Sequence, residues 1–248
     1  AFTAITSKRS FSEGGSRFYD RSSLYHIHGE YKFTPDFADI TVGANFRWYR
    51  PESDGTIFSD TNGVVIRNEE GGAYAGLEKK VAKDKLKISL TGRVDKNVNF
   101  DFLFSPAASL VYVPDKQNVI RASFSSAIRN PTLADQYLYY PVGRAILVGN
   151  KDGYDSLVTV QSLINFFDYN KQFDTLEFFS LKPVRPEEVK SIELGYRTTI
   201  SNKLFIDFGA YYSWYKNFIG YRIGADVDVL NQFYITQLGD TVYYEDLR

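Results

Sequence analysis

The chain has 248 residues with 29 Lys plus Arg against 30 Asp plus Glu, a balance that offers no polyanion-binding surface and removes nucleic acid from the expected partners. No run reaches the ~18 to 20 apolar residues of a membrane-spanning helix, and the lack of cysteine excludes disulfides, thiolate metal sites and a cysteine nucleophile. A mean hydropathy of -0.29 leaves a membrane β-barrel open, because barrel strands alternate lipid-facing and lumen-facing residues, and the 17% of aromatic residues suits strands and interfacial girdles.

In chain order, the first predicted strand is RSSLYHIHGEYKF, with Tyr25, Ile27, Tyr31 and Phe33 on one face and His26, His28, Glu30 and Lys32 on the other. DITVGANFRWYRP follows after the short TPDFA connection, its Ile40, Val42, Ala44, Phe46 and Trp48 alternating with Thr41, Gly43, Asn45, Arg47 and Tyr49. Residues 51–70 read as a long polar loop. GGAYAGLEKKVA and LKISLTGRVD then form a hairpin around Lys83-Asp84-Lys85. Lys79 shares the face of Ala73, Ala75 and Leu77 and is a misfit there; near the turn it can snorkel, whereas at mid-depth it costs roughly 2 to 4 kcal/mol. KNVNFDFLF reads as a connection of medium length, PAASLVYV and VIRASFSS as strands joined by PDKQN, and residues 127–187 as a very long loop. VKSIELGYRTTI and KLFIDFGAYYSWY, separated by Ser201-Asn202, are the last strands before a further long segment, 216–248.

Two environments fit such two-faced strands, since the apolar face packs on a second sheet in a soluble sandwich and meets lipid in a membrane barrel. The connections decide between them: short turns fall at one end of the sheet and long loops at the other, as in outer-membrane barrels with periplasmic turns and extracellular loops. The strands also exceed the five or six residues usual in soluble sheets. The expected fold is therefore all-β, an antiparallel transmembrane β-barrel, with 1–248 belonging to a single barrel domain. Trp48-Tyr49 and the run Tyr211 to Tyr215 are expected at the headgroup level. By parity Arg47, Arg93, Arg121 and Arg197, with Glu30, Glu78, Glu193 and Asp207, face inward.

From Arg93 onward the order of motifs resembles the second half of a TonB-dependent outer-membrane receptor, in particular the Bacteroidota type. The matching residues are Arg93 and Asp95 ahead of SPAASLVY, then Ile128-Arg129-Asn130-Pro131-Thr132, then Leu181, Pro186, Glu187, Glu193, Gly195 and Tyr196. Two positions depart from the pattern: Ile128 replaces the usual aromatic, and Ala107 replaces the arginine that usually follows the proline. The resemblance implies a barrel of about 22 strands around an N-terminal plug, residence in the bacterial outer membrane among its lipids, and import of a scarce ligand (siderophore, glycan, peptide or similar). It also implies energy from the TonB complex received through a plug segment not in this chain, with a surface lipoprotein or another outer-membrane subunit as a further partner. The sequence starts at Ala1 without methionine or a signal-peptide pattern and supplies about eight strands, so it is expected to be an incomplete, plug-less portion of a longer receptor. A non-transporting barrel subunit of an outer-membrane assembly, and a self-contained eight-strand barrel, stay open as alternatives.

The inward residues Arg47, Arg93, Arg121, Glu193, Arg197 and Asp207 are candidates for docking the plug, against the plainer reading of a solvated lumen. Tyr137, Tyr139, Tyr140, Arg144, Phe166, Phe167 and Tyr169 are the ligand-facing candidates of the longest loop, because rings beside polar groups stack on sugars, chelates or peptides. Against that stands a loop folded on itself, with LVTVQSLINFF as a helix or hairpin over the barrel mouth. His26 and His28 share a face without a third ligand, and no local Ser/His/Asp signature occurs, so neither metal, cofactor nor enzymatic activity is expected.

Overall fold

Extended backbone leaves every N–H and C=O in need of a partner, and neighbouring strands supply them. The computed structural model describes residues 19–142, 145–168, 173–201 and 203–227. The chain runs through β1 (Ser23–Phe33), β2 (Asp39–Arg50), β3 (Asn68–Val81), β4 (Leu86–Asn97), β5 (Phe100–Tyr112) and β6 (Asn118–Arg129). It continues through α1 (Leu133–Tyr137), β7 (Tyr139–Val142), β8 (Ala145–Val148), β9 (Tyr154–Val158), α2 (Val160–Asp168) and β10 (Phe178–Leu181), and ends in β11 (Glu187–Ile200), β12 (Leu204–Lys216) and β13 (Ala225–Asp226). Eight strands form one antiparallel meander in the order β1-β2-β3-β4-β5-β6-β11-β12.

The turns at one end are short because local chemistry closes them. Between β3 and β4, Ala82, Lys83 and Asp84 all take positive φ, and the Lys85 N–H closes the turn on the Ala82 carbonyl at 3.3 Å. Between β5 and β6, Asp115 Oδ1 accepts the backbone N–H groups of Gln117 and Asn118 at 2.9 and 3.0 Å. At the other end lie residues 51–67 and 130–186. One connection there departs from expectation: KNVNFDFLF is no loop, since β5 begins at Phe100 and only Val98-Asn99 links it to β4. The turn is possible because Asn97 is buried and serves both sides of it, its Oδ1 accepting the Asn99 N–H at 2.9 Å and its Nδ2 donating to Asn68 Oδ1 at 2.8 Å.

Among the described residues no second layer covers the apolar face: Phe46, Leu90 and Phe208 are 45%, 51% and 64% exposed. For large apolar side chains repeated along eight strands, hydrocarbon is the solvent that makes such exposure favourable. The other face is curved inward, since Asn45 of β2 and Arg129 of β6 line one cavity although four strand spacings, about 19 Å on a flat sheet, separate them. Paired rings border the outer face at both ends: Tyr25–Trp48 and Tyr212–Trp214 lie 5.4 and 4.8 Å apart at the long-loop end, and Tyr31–Phe33 lie 5.8 Å apart at the other. Tyr49 and Tyr211 share the parity of Arg47 and Glu193 and face inward, so the expected girdle clusters divide between the two faces. Lys79 stands two residues from the end of β3, opposite Ile88, where its ammonium reaches the interface.

Apolar burial is concentrated instead in a small lobe built from the long loops. There β9 pairs with β10 and β13, and α2 packs its Phe166 (1% exposed) against Val158, Leu176 and Ala225. Among the described residues no helix is long and apolar enough to cross a membrane.

One carboxylate organises the first turn of the loop 51–67, which also docks on the long loop through the Ser59 N–H on the Tyr137 carbonyl and the Tyr139 N–H on the Ile57 carbonyl, both at 2.9 Å. Asp60 accepts from Ser53 Oγ at 2.6 Å and from the backbone N–H groups of Ser53, Asp54 and Gly55. Burial alone would raise its pKa, but these donors outweigh burial and hold it below the usual carboxylate value. A depressed folded-state pKa stabilises the loop above the unfolded value, and that contribution is lost as the pH falls through the folded one. Digestion of the whole protein with pepsin should therefore begin to cut within 51–67 only in strong acid. Asp60→Ala, which leaves those donors unpaired at a cost of about 1–3 kcal/mol, should open the same sites at higher pH. An unchanged cleavage pattern in the variant would contradict this role for Asp60.

Candidate functional site

The inward face divides its charges into separate groups, each held by side chains from neighbouring strands. Beneath the long loops, Arg47 meets Glu70 at 3.0 Å, and Glu70 also accepts the Tyr49 hydroxyl at 3.0 Å. Beside them Arg93 Nε donates to Asp95 at 2.7 Å and its Nη2 reaches Asn45 Oδ1 at 2.7 Å. These residues line a cavity of about 580 Å³ whose far wall is Arg129, Asn130 and the start of α1. Arg47 and Arg93 are matched there by Glu70 and Asp95, and Arg129 by Glu187 just outside the lining, so each cation of the cavity has an acidic partner.

Nearer the short turns, Arg121 meets Asp207 at 3.0 Å although all of β11 lies between them. Glycine makes the span possible: a Cβ on Gly195 would lie 2.3 Å from Arg121 Nε. Glu193 is 3.9 Å from the same arginine. Arg197 stands opposite Asp207 with no ion pair among the described residues. Tyr74 crosses Gly43 in the same way, and its hydroxyl donates to Glu30 and meets His28 Nε2 at 3.1 Å. Glu78 pairs with Lys87 at 2.8 Å. The docking candidates thus form two clusters at two depths, with Arg197 apart.

The motifs that carry the resemblance meet at the base of the longest loop. Arg129 faces Glu187 across β6 and β11 and pairs with it at 2.9 Å, so two pieces separated by the whole loop close it like a clasp. Glu187 also accepts the Ile219 N–H at 2.7 Å, drawing in the segment after β12. The chain then folds back over the inward face: Asn130 Nδ2 donates to Glu70 at 3.1 Å, and Thr132 caps α1 in a reciprocal box with Asp135. Glu70, Asn130 and Tyr74 were missed by periodicity alone. Glu70 has the inward parity of β3, but the EEGG run hides the start of that strand.

The loop candidates do not form one surface. Tyr137 ends α1 with its hydroxyl accepting from Asn99 Nδ2 at 2.6 Å, while Tyr139 and Tyr140 lie in β7, half-buried against β8. Phe166 is no ligand-facing ring: it is enclosed in the lobe core, with Phe167 and Phe173 at 5.3 and 5.1 Å, because the loop buries its own apolar residues. Phe167 packs against that core. Arg144 and Tyr169 lie outside the described residues. A second cavity of about 480 Å³ opens between α1, residues 182–185 and residues 217–221. Among the described residues no three His, Cys, Asp or Glu side chains gather at metal-binding distances.

The solved siderophore receptor PirA of Pseudomonas aeruginosa superposes with a TM-score of 0.55 at 15% identity, over 78% of this chain and 32% of that one. PirA of Acinetobacter baumannii gives 0.55 at 14% identity, over 86% and 30%. The ferric enterobactin receptor PfeA of Pseudomonas aeruginosa gives 0.53 at 13% identity, over 79% and 27%. The chain thus spans about a third of the length of these structures, and at such identities the likeness is one of fold. No curated protein matches the chain by sequence. The family model described as "TonB dependent receptor-like, beta-barrel" matches residues 2–244. Because that match runs through every strand of the meander, the chain belongs to the TonB-dependent receptor β-barrel family, and its strands lie in the bacterial outer membrane.

Proposed function

We propose that this chain is the barrel wall of a receptor that imports a scarce ligand, with the whole of 1–248 belonging to that barrel. The observation that carries the reading is the inward face: charged pairs line a cavity directly beneath loops that cover it. A wall of this kind suits a removable plug, because half-exposed ion pairs hold position yet contribute only about 0 to 1 kcal/mol each and exchange partners readily. Arg47 and Arg93 would dock the upper part of the plug, and Arg121, Glu193, Arg197 and Asp207 the lower. In this reading TonB engages the plug rather than the barrel, a surface lipoprotein or another outer-membrane subunit assists capture, and catalysis has no part. The Bacteroidota type rests on the motif order. Tyr137, Tyr139 and Tyr140 are the retained ligand-facing candidates, together with Arg144 and Tyr169. The solved neighbours are siderophore receptors, which makes ferric siderophores the first ligands to assay.

The test is Arg93→Leu in the full-length receptor. Barrel stability should change by about 1 kcal/mol or less, since the guanidinium is partly exposed, while energy-dependent uptake falls and the plug is released more readily. Unchanged uptake together with unchanged plug retention would remove the docking role.

A further inference from the structure

The outer wall carries a groove that the import reading does not use. Its volume is about 540 Å³, its floor is formed by Ala75, Gly92 and Ala108, and its sides by Leu77, Leu90 and Phe124. Small residues in the middle of an otherwise bulky lipid-facing band leave an open apolar depression there. Ile40, which faces Leu77 and lies one residue from the start of β2, marks the groove's lower end at the side of the short turns.

Lys79 lies just beyond that end, past the rim that Ile40, Leu77 and Leu90 form. It is the next outward residue below Leu77, about 7 Å along the strand, and it faces Ile88, two residues below Leu90. The hairpin around it carries Lys79, Lys80, Lys83, Lys85 and Lys87 against Glu78 and Asp84. Lys87 is taken by Glu78 at 2.8 Å and Lys85 donates to the Pro114 carbonyl at 2.7 Å, whereas Lys79 has no carboxylate partner among the described residues. An apolar groove with an ammonium one outward position beyond its rim, free of any carboxylate among the described residues, is complementary to a lipid with an anionic head and a straight chain.

We propose that the β3–β4 hairpin holds one anionic phospholipid of the periplasmic leaflet, its phosphate at Lys79 and an acyl chain in the groove above. The site depends on the orientation of the barrel and not on transport. A neutral lipid would fill the groove without using the lysines, so headgroup preference distinguishes a built site from ordinary solvation by lipid.

The full-length receptor, reconstituted in phosphatidylcholine bilayers containing a minor fraction of phosphatidylglycerol, is extracted in mild detergent and its retained lipids are identified by native mass spectrometry. Phosphatidylglycerol should be retained over phosphatidylcholine. Lys79→Gln should lower its occupancy about fivefold, and Ala108→Phe, which fills the groove and leaves every lysine in place, should lower occupancy by both lipids. Equal retention of the two lipids by the unsubstituted protein overturns the proposal, as does full phosphatidylglycerol occupancy in either variant. A measurement that needs no variant is the effect of salt: raising it from 0.1 to 1 M should erase the phosphatidylglycerol preference, and a preference that survives overturns the role of Lys79.

Discussion

Replacing Gly149 with alanine should unfasten the first part of the long loop while leaving the barrel intact. A Cβ at this position would lie 2.4 Å from the Gln136 carbonyl carbon and 2.5 Å from the Tyr137 nitrogen. These are backbone atoms of α1, which cannot swing aside as a side-chain tip can. The same approach lets Gly149 N–H donate to the Leu138 carbonyl at 2.7 Å and Asn150 N–H to Asp135 at 2.8 Å, so the seam is lost together with the contact. Overpacking of this kind costs about 1–3 kcal/mol, which is large for a five-residue helix whose other ties are one cap, the Asn99 amide and two backbone bonds to residues 57–59. The expected result is rapid trypsin or chymotrypsin cleavage within residues 133–150 of the full-length protein, with unchanged heat-induced mobility shift of the barrel on gels. Cleavage no faster than in the unsubstituted protein would show that α1 and β8 are not joined as described.

Glu187→Ala should release the base of the same loop from a different direction. Its carboxylate side chain is 17% exposed and serves Arg129 on β6 and the Ile219 N–H beyond β12. Truncation leaves that N–H unpaired and the clasp open, at a cost of about 1–3 kcal/mol; the ion pair alone adds little to this because Arg129 is largely exposed. Hydrogen exchange should show faster opening of residues 130–133 and 217–221 together, because one residue holds both, with β4 and β5 unaffected. Independent behaviour of the two segments would contradict the clasp. Glu187→Gln, which keeps an acceptor for Ile219 and loses the charge, should restore the second segment more than the first.

The two substitutions show why the family pattern reads as scattered pieces in sequence. Arg129 and Glu187 lie at opposite ends of the longest loop, yet they are the terminal register pair of β6 and β11. Arg93 and Asp95 share one strand face two residues apart and bind each other directly. Glycine is the silent member: Gly195 carries no side chain so that Arg121 can lie across β11 to Asp207.

The two-residue period fixed the strands, their faces and, through the sorting of short and long connections, the choice of lipid over a second sheet. Those features are local, because parity and turn chemistry act within a few residues. The Asn97-Val98-Asn99 turn escaped because an asparagine side chain, and not glycine or proline, closes it. Tertiary structure alone decided which charges meet, that Phe166 belongs to a lobe core, and that Glu70 and Asn130, sixty residues apart, share one hydrogen bond. Such contacts follow from register and from the path of a loop folding back over a curved sheet, and neither leaves a periodic mark along the chain.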